Sequence, residues 1–209
     1  MIIRLFIFLC LFFSAHAKEW VYFVSPDDVS IVMSKRAMTS KEWKKTGHSN
    51  FVNLCFFESR NVVGTLIING KHQGRTRSKW PFFSIRPTAG ELLKCVNVID
   101  GFSGSHELVV DYTATRFKNT KFSRRRCQRT CIGVNSQGCI VIFVSTGINL
   151  NDAAKRMQEI GCSYAVNADG GSSTMLTKSG KHLCNTSRKV PVILSWKETN
   201  KTEYVVPIR

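Results

Sequence analysis

The sequence predicts an α+β fold: a mixed β-sheet core with one clear packed helix (149–160), forming a single compact domain. Three observations lead there. Short apolar or alternating runs rich in β-branched and aromatic residues recur with turn residues between them. One segment alone carries an unmistakable helical period. No repeat, low-complexity tract or Pro/Gly/Ser-rich linker divides the chain, and 209 residues suffice for one well-filled core.

Taken in order, residues 1–17 (MIIRLFIFLCLFFSAHA) combine one early positive charge, Arg4, with an apolar run and an Ala15-His16-Ala17 ending. That is the pattern of a cleaved secretory signal, and the Leu5–Phe13 run falls short of the roughly 20 residues a membrane span needs. The expected mature chain, 18–209, is secreted or periplasmic and has no transmembrane anchor. Strands are expected at 20–24, 29–33, 61–70, 81–86, 92–99, 106–112, 139–144, 190–196 and 203–208. In NLNDAAKRMQEIG (149–161), Leu150, Ala153, Ala154, Met157 and Ile160 share one helical face. Asn149 or Asn151 caps its start and Gly161 closes its end. With strands at 139–144 and 163–168 on either side, this helix completes a β-α-β unit.

Export carries the cysteines into an oxidising compartment. Cys10 leaves with the signal; Cys55, Cys95, Cys127, Cys131, Cys139, Cys162 and Cys184 remain. An odd set predicts up to three disulfides and one free thiol, with connectivity open. No Cys-x-x-Cys pair is present to suggest zinc.

Thirty lysines and arginines against 14 acidic residues give a formal charge of +16. Such a field concentrates anionic partners, phosphorylated glycans and nucleic acid among them. The densest run, RFKNTKFSRRRCQRT (116–130), reads as a solvated basic loop or an anion-recruiting rim. Its only aromatics are Phe117 and Phe122, so a base-stacking surface and a nucleic-acid partner are disfavoured. The sequence has no phosphate-binding P-loop, no Gly-x-Ser-x-Gly elbow and no His-Glu-x-x-His zinc motif. His48, His72, His106 and His182 are scattered.

One short stretch carries the chemistry. In YAVNADGGSSTML (164–176), an apolar strand runs into Asp169, two glycines and two serines. Alone, Asp-Gly is also a common hairpin turn. A carboxylate at the C-terminal edge of a strand, followed by glycines that open the backbone, equally makes a ligand site: amides and hydroxyls gathered there hold phosphate or sugar oxygens.

Several segments in order add to this stretch: NLCFFE (53–58), GTLIINGK (64–71), RTCIGVNSQGCIVIFV (129–144), NADGGSS (167–173) and CNTSRKV (184–190). Together they resemble the phosphodiester glycosidase family over about residues 50–196. Leu54 and Cys55 stand where the family has paired glycines, and Ser172 where it has a third glycine after the aspartate. The resemblance implies hydrolysis of the bond between a sugar's anomeric carbon and a phosphodiester. It implies Asp169 as the carboxylate at that carbon, Arg129 as the phosphate contact, and Asn53 orienting a ligand oxygen. Glu58 would be a partner carboxylate, with Gly170, Gly171, Ser172, Ser173 and Thr130 supplying donors. The implied partner is a sugar phosphodiester or another anionic glycan. No cofactor or metal is expected, though the sequence is silent on a divalent cation beside Asp169. The competing reading is a non-catalytic binder of an anionic glycan or nucleotide-like ligand on the same fold.

Overall fold

The computed structural model describes residues 17–59, 61–74, 79–85 and 99–198. Residues 1–16 of the expected signal (1–17), the strands expected at 92–99 (up to residue 98) and 203–208, and Cys10 and Cys95 lie outside the described residues. In chain order, β1 (Glu19–Val24) is followed by a 3-10 turn (Pro26–Asp28), β2 (Val29–Met38), α1 (Ser40–Lys45) and β3 (Phe51–Asn53). Short strands come next: β4 (Phe57–Glu58), β5 (Asn61–Val62), β6 (Leu66–Ile68), β7 (Lys71–His72), β8 (Phe82–Ser84) and β9 (Gly101–Ser103). Then follow β10 (Glu107–Val110), β11 (Thr113–Ala114), α2 (Lys121–Arg124), β12 (Cys127–Asn135), β13 (Ile140–Ile148) and α3 (Leu150–Glu159). The chain continues through β14 (Cys162–Asn167), a 3-10 turn (Gly171–Ser173), β15 (Leu176–Lys178), β16 (Lys181–Cys184) and β17 (Val190–Trp196).

Two sheets stack between helices. The larger runs β1-β13-β12-β14-β10-β11 and the second β16-β15-β3-β17-β2. Strand alternation decides the layering. Along β13, Ile140, Ile142 and Val144 join Val29, Val52, Leu176 and Leu194 of the second sheet in one core, while Val141 and Phe143 turn to the other face. There they meet Leu150, Ala153, Ala154 and Met157 of α3. Beyond the second sheet, Trp43 of α1 packs on Phe51, Met175 and Ile193.

The predicted helix is α3. Asn149 caps it by accepting from the Asp152 amide at 2.9 Å, and Gly161, at φ +92°, ends it. The β-α-β unit is present with an insertion: β13 and β14 run parallel but flank β12, so every ladder among the described residues is antiparallel. Two expectations change. The run 61–70 is two strands, not one, because Gly64 at φ +99° breaks the extended backbone between β5 and β6. The basic run 116–130 is not wholly a loop: Thr120 and Ser123 form a capping box that starts α2, and β12 begins at Cys127.

The disulfides expected are absent among the described residues, where all six cysteines are free. Cys55, Cys131, Cys162 and Cys184 are buried and pack as small apolar side chains in the two larger cores. Among the described residues no helix is long and apolar enough to cross a membrane.

Candidate functional site

A cleft of about 300 Å3 opens where β12 and β14 meet the loop after β14. It is lined by Phe56, Phe122, Arg125, Cys127, Arg129, Asn167, Asp169, Gly170, Gly171 and Ser172. Two residues far apart in the sequence, Asp169 and Arg129, therefore share one wall.

Asp169 is placed by its backbone. Its amide donates to the Leu54 carbonyl at 3.0 Å, and the preceding Ala168 amide donates to the Thr130 carbonyl at 2.9 Å. Only 7% of Asp169 is exposed. Burial raises its carboxyl pKa to about 6, against the lowering influence of the Ser173 hydroxyl, the Arg188 charge and the Gly170 amide. The Gly170 amide donates to Asp169 Oδ1 at 2.9 Å. Ser173 stands close enough to act on the carboxyl, but its buried hydroxyl makes no hydrogen bond of good geometry; neither does that of Thr174. Two buried hydroxyls of the loop after Asp169 thus lack a partner of good geometry among the described residues.

The glycines divide their tasks. A Cβ on Gly170 would sit 2.8 Å from the Gln128 carbonyl oxygen, so glycine here lets the loop press against β12. Gly171 adopts φ +60° with open space around it and starts the 3-10 turn that carries Ser172 and Ser173.

Arg129 follows a register shift in the β12–β13 ladder, an irregularity of the kind that re-aims side chains beside binding sites. It is 2% exposed. Its Nε donates to the Ile148 carbonyl (3.2 Å), Nη1 to Asn167 Oδ1 (3.4 Å), and Nη2 to the Phe122 and Arg125 carbonyls (3.2 Å each). The guanidinium lies 5.1 Å from the centroid of the Phe122 ring. No carboxylate pairs with it among the described residues, and one of its five N–H groups, on Nη1, has no acceptor there. A buried guanidinium held by neutral oxygens and an aromatic face keeps its positive charge uncompensated, ready for an anion entering the cleft.

Asn53 and Thr130 are near this site but do not line it. Asn53 is 1% exposed; its Nδ2 donates to the Asp169 carbonyl at 2.6 Å, while its Oδ1 accepts from Thr130 Oγ1 (2.8 Å) and the Met175 amide (3.0 Å). The side chain clamps the Asp169 loop from behind, with its acceptor already engaged, in place of the ligand contact expected of it. Glu58 is exposed on β4 and absent from the cleft lining; alternation along that strand turns Phe57, not Glu58, toward Arg188. Ser172 lies on the rim and Ser173 behind it.

Sequence reasoning passed over three residues. Asn167, 1% exposed, bridges Arg129 to the Ser105 hydroxyl, donating to it at 2.9 Å. His106 stacks on Phe122 at 5.0 Å, its pKa lowered by burial and then by the Arg129 charge. Arg188 donates to Ser172 Oγ at 3.2 Å, lies over the Phe57 ring at 4.6 Å, and is the cation felt by Asp169. Arg188 and Asn167 stand inside segments quoted above for their resemblance, which was the available signal; nothing in the sequence marked His106. Among the described residues no cluster of three His, Cys, Asp or Glu side chains is arranged for a metal.

A family model described as phosphodiester glycosidase matches residues 21–195. No curated protein matches the chain. Among solved structures, the catalytic domain of zebrafish N-acetylglucosamine-1-phosphodiester alpha-N-acetylglucosaminidase, auto-inhibited by its pro-peptide, is similar with a TM-score of 0.69 at 16% identity. The match covers 88% of this chain and 83% of that one. A hypothetical protein from Synechocystis is similar with a TM-score of 0.63 at 13% identity, over 85% of this chain and 58% of that one.

Proposed function

Because the chain belongs to the phosphodiester glycosidase family, we propose that it is an exported hydrolase that cleaves the bond between a sugar's anomeric carbon and a phosphodiester oxygen. The observation that carries this reading is the presence in one small cleft of Asp169 and of Arg129, a guanidinium whose hydrogen bonds all go to neutral oxygens among the described residues.

Cleavage of such a bond passes through a transition state with positive charge growing on the sugar ring and negative charge on the departing phosphate. The two charges need opposite stabilisers a short distance apart. Asp169, ionised, faces the anomeric carbon and stabilises the ring charge. Arg129 offers its free N–H and its charge to the phosphate oxygens, a match that a guanidinium makes better than an ammonium. Ser172 and the Gly171 backbone, at the rim, complete the phosphate contacts. The bonding electrons leave with the phosphodiester oxygen, producing a phosphate monoester, while a water oxygen bonds to the sugar. Since phosphate departs readily as an anion, no second carboxyl group is needed to protonate it.

One observation favours a second reading, a binder of anionic glycans that turns nothing over: among the described residues Asp169 is the only carboxylate in the cleft lining, whereas most glycosidases use two. A single assay separates the readings. The chain is incubated with a panel of sugar-1-phosphodiesters, and released sugar and phosphate are detected by mass. Hydrolysis lost in Asp169→Asn supports the enzyme; tight binding with no product supports the binder.

A further inference from the structure

Arg188 borders two spaces. Its hydrogen bond to Ser172 forms a rim of the cleft, and it also lines a second cavity of about 590 Å3 with Arg36, Ala37, Phe57, Ser59 and Lys189. Among the described residues the charged lining of this basin is entirely cationic. Glu42 faces it from α1, but that carboxylate is committed. It bonds Arg36 at 3.0 Å and accepts from the Thr39 amide (2.8 Å) and hydroxyl (3.0 Å), and its pKa is lowered chiefly by the Thr39 bonds, with Arg36 and Lys189 adding to the shift. Glu58 sits between two lining residues, Phe57 and Ser59, without lining the basin itself. Three cations against one engaged carboxylate leave a positive basin beside the cleft, with Phe57 holding the Arg188 guanidinium in place at 4.6 Å.

We infer that this basin is the subsite for the second esterified group of the substrate, and that this group is an acidic glycan carrying a phosphate or carboxylate of its own. The inference rests on the hydrolase reading. A cleft of about 300 Å3 accommodates little more than one sugar with its phosphate. The other half of a diester must continue past the phosphate, and the Arg188–Ser172 rim leads to a larger, basic space. A neutral group there would gain only hydrogen bonds from Arg36, Arg188 and Lys189; an anionic one adds charge attraction and is drawn in and held.

The test uses two diesters sharing the same sugar-1-phosphate, one esterified to a neutral hexose and one to a hexose bearing a second phosphate. The chain is expected to favour the charged diester by about tenfold in kcat/KM at low salt, through KM, with the preference shrinking as salt rises. The double variant R36Q/K189Q, checked for folding by thermal unfolding, brings the ratio near one. Lys155→Gln, which removes one positive charge from α3 far from the basin lining, leaves the ratio unchanged. Equal rates for the two diesters, or a preference that survives R36Q/K189Q, overturns the subsite. If neither diester is cleaved, the hydrolase reading fails by itself. Equilibrium binding of hexose bisphosphate against hexose monophosphate to the same variants then decides the subsite: a preference lost in R36Q/K189Q supports it, and no preference in the unmodified chain refutes it.

Discussion

Above pH 6 the Asp169 carboxylate carries its charge in a site where only 7% of the residue meets solvent. The folded pKa of about 6 lies above the ordinary 3.8, so the folded chain holds this proton more tightly than the unfolded one. The resulting penalty is absent below about pH 4, grows as pH rises, and is complete above about 6. Asp169→Asn should therefore stabilise the protein at pH 8, by up to about 3 kcal/mol, and by little at pH 4. Denaturant titrations at the two pH values check this. The same variant should lose more than about 100-fold in kcat, the signature of a group kept for chemistry at the expense of stability. If the ionised form is the working one, kcat/KM of the unmodified chain climbs through about pH 6 and then levels. Arg129 is bound differently, through four neutral oxygens. Arg129→Lys keeps a charge but abandons most of those bonds, so it is expected to lose both stability and phosphate affinity, seen as a raised KM for the diester and weakened binding of inorganic phosphate.

Asn53 couples elements that the chain keeps far apart: it stands at the end of β3 in the second sheet and bonds β12, the Asp169 loop and Met175. Asn53→Ala would leave several buried groups unpaired, and a loss of roughly 3 kcal/mol is expected by denaturant unfolding, with kcat falling more than KM rises. The loop's two glycines give a sharper contrast. Gly170→Ala brings a Cβ to 2.8 Å from a backbone oxygen that cannot yield, whereas Gly171→Ala meets open space and only the strain of a positive φ. The first should cost about 2–3 kcal/mol and the second about 1 kcal/mol. These elements also mark where sequence reading stops. An aspartate with two glycines at the end of an apolar strand announces itself, as does the face of α3. The wiring of Asn53 does not, because its partners are 77, 116 and 122 positions away. Glu58 shows the converse: a carboxylate in a suggestive motif, displaced from the cleft by the alternation of a two-residue strand.

At the scale of the molecule, four of the six described cysteines are buried and none of the six is cross-linked among the described residues. An odd cysteine count and an expected secretory leader pointed to disulfides; the four buried side chains instead fill gaps in the cores, a matter of packing that residue type alone does not encode. Burial drives the thiol pKa of Cys131 and Cys162 up to about 12. Under native conditions, alkylation should modify half-buried Cys127 and Cys139 and spare Cys55, Cys131, Cys162 and Cys184, as peptide mapping would read out; protection of Cys127 by inorganic phosphate would place that anion in the cleft. A β-rich core with one packed helix was legible in outline, since alternating runs and one amphipathic helix must bury their apolar faces together; the division of the strands into two stacked sheets was not. The insertion of β12 between β13 and β14 was not, because local pattern says nothing of which strands become neighbours.

That insertion gives the cleft an uneven kinetic character. Arg129 comes from an interior strand whose amides and carbonyls are matched on both flanks, while the Phe122 beside it sits on a single helical turn, Lys121–Arg124. In deuterium uptake the amides of residues 130–134 should be among the last to exchange and those of residues 121–125 among the first, so one side of the enclosure loosens long before the other.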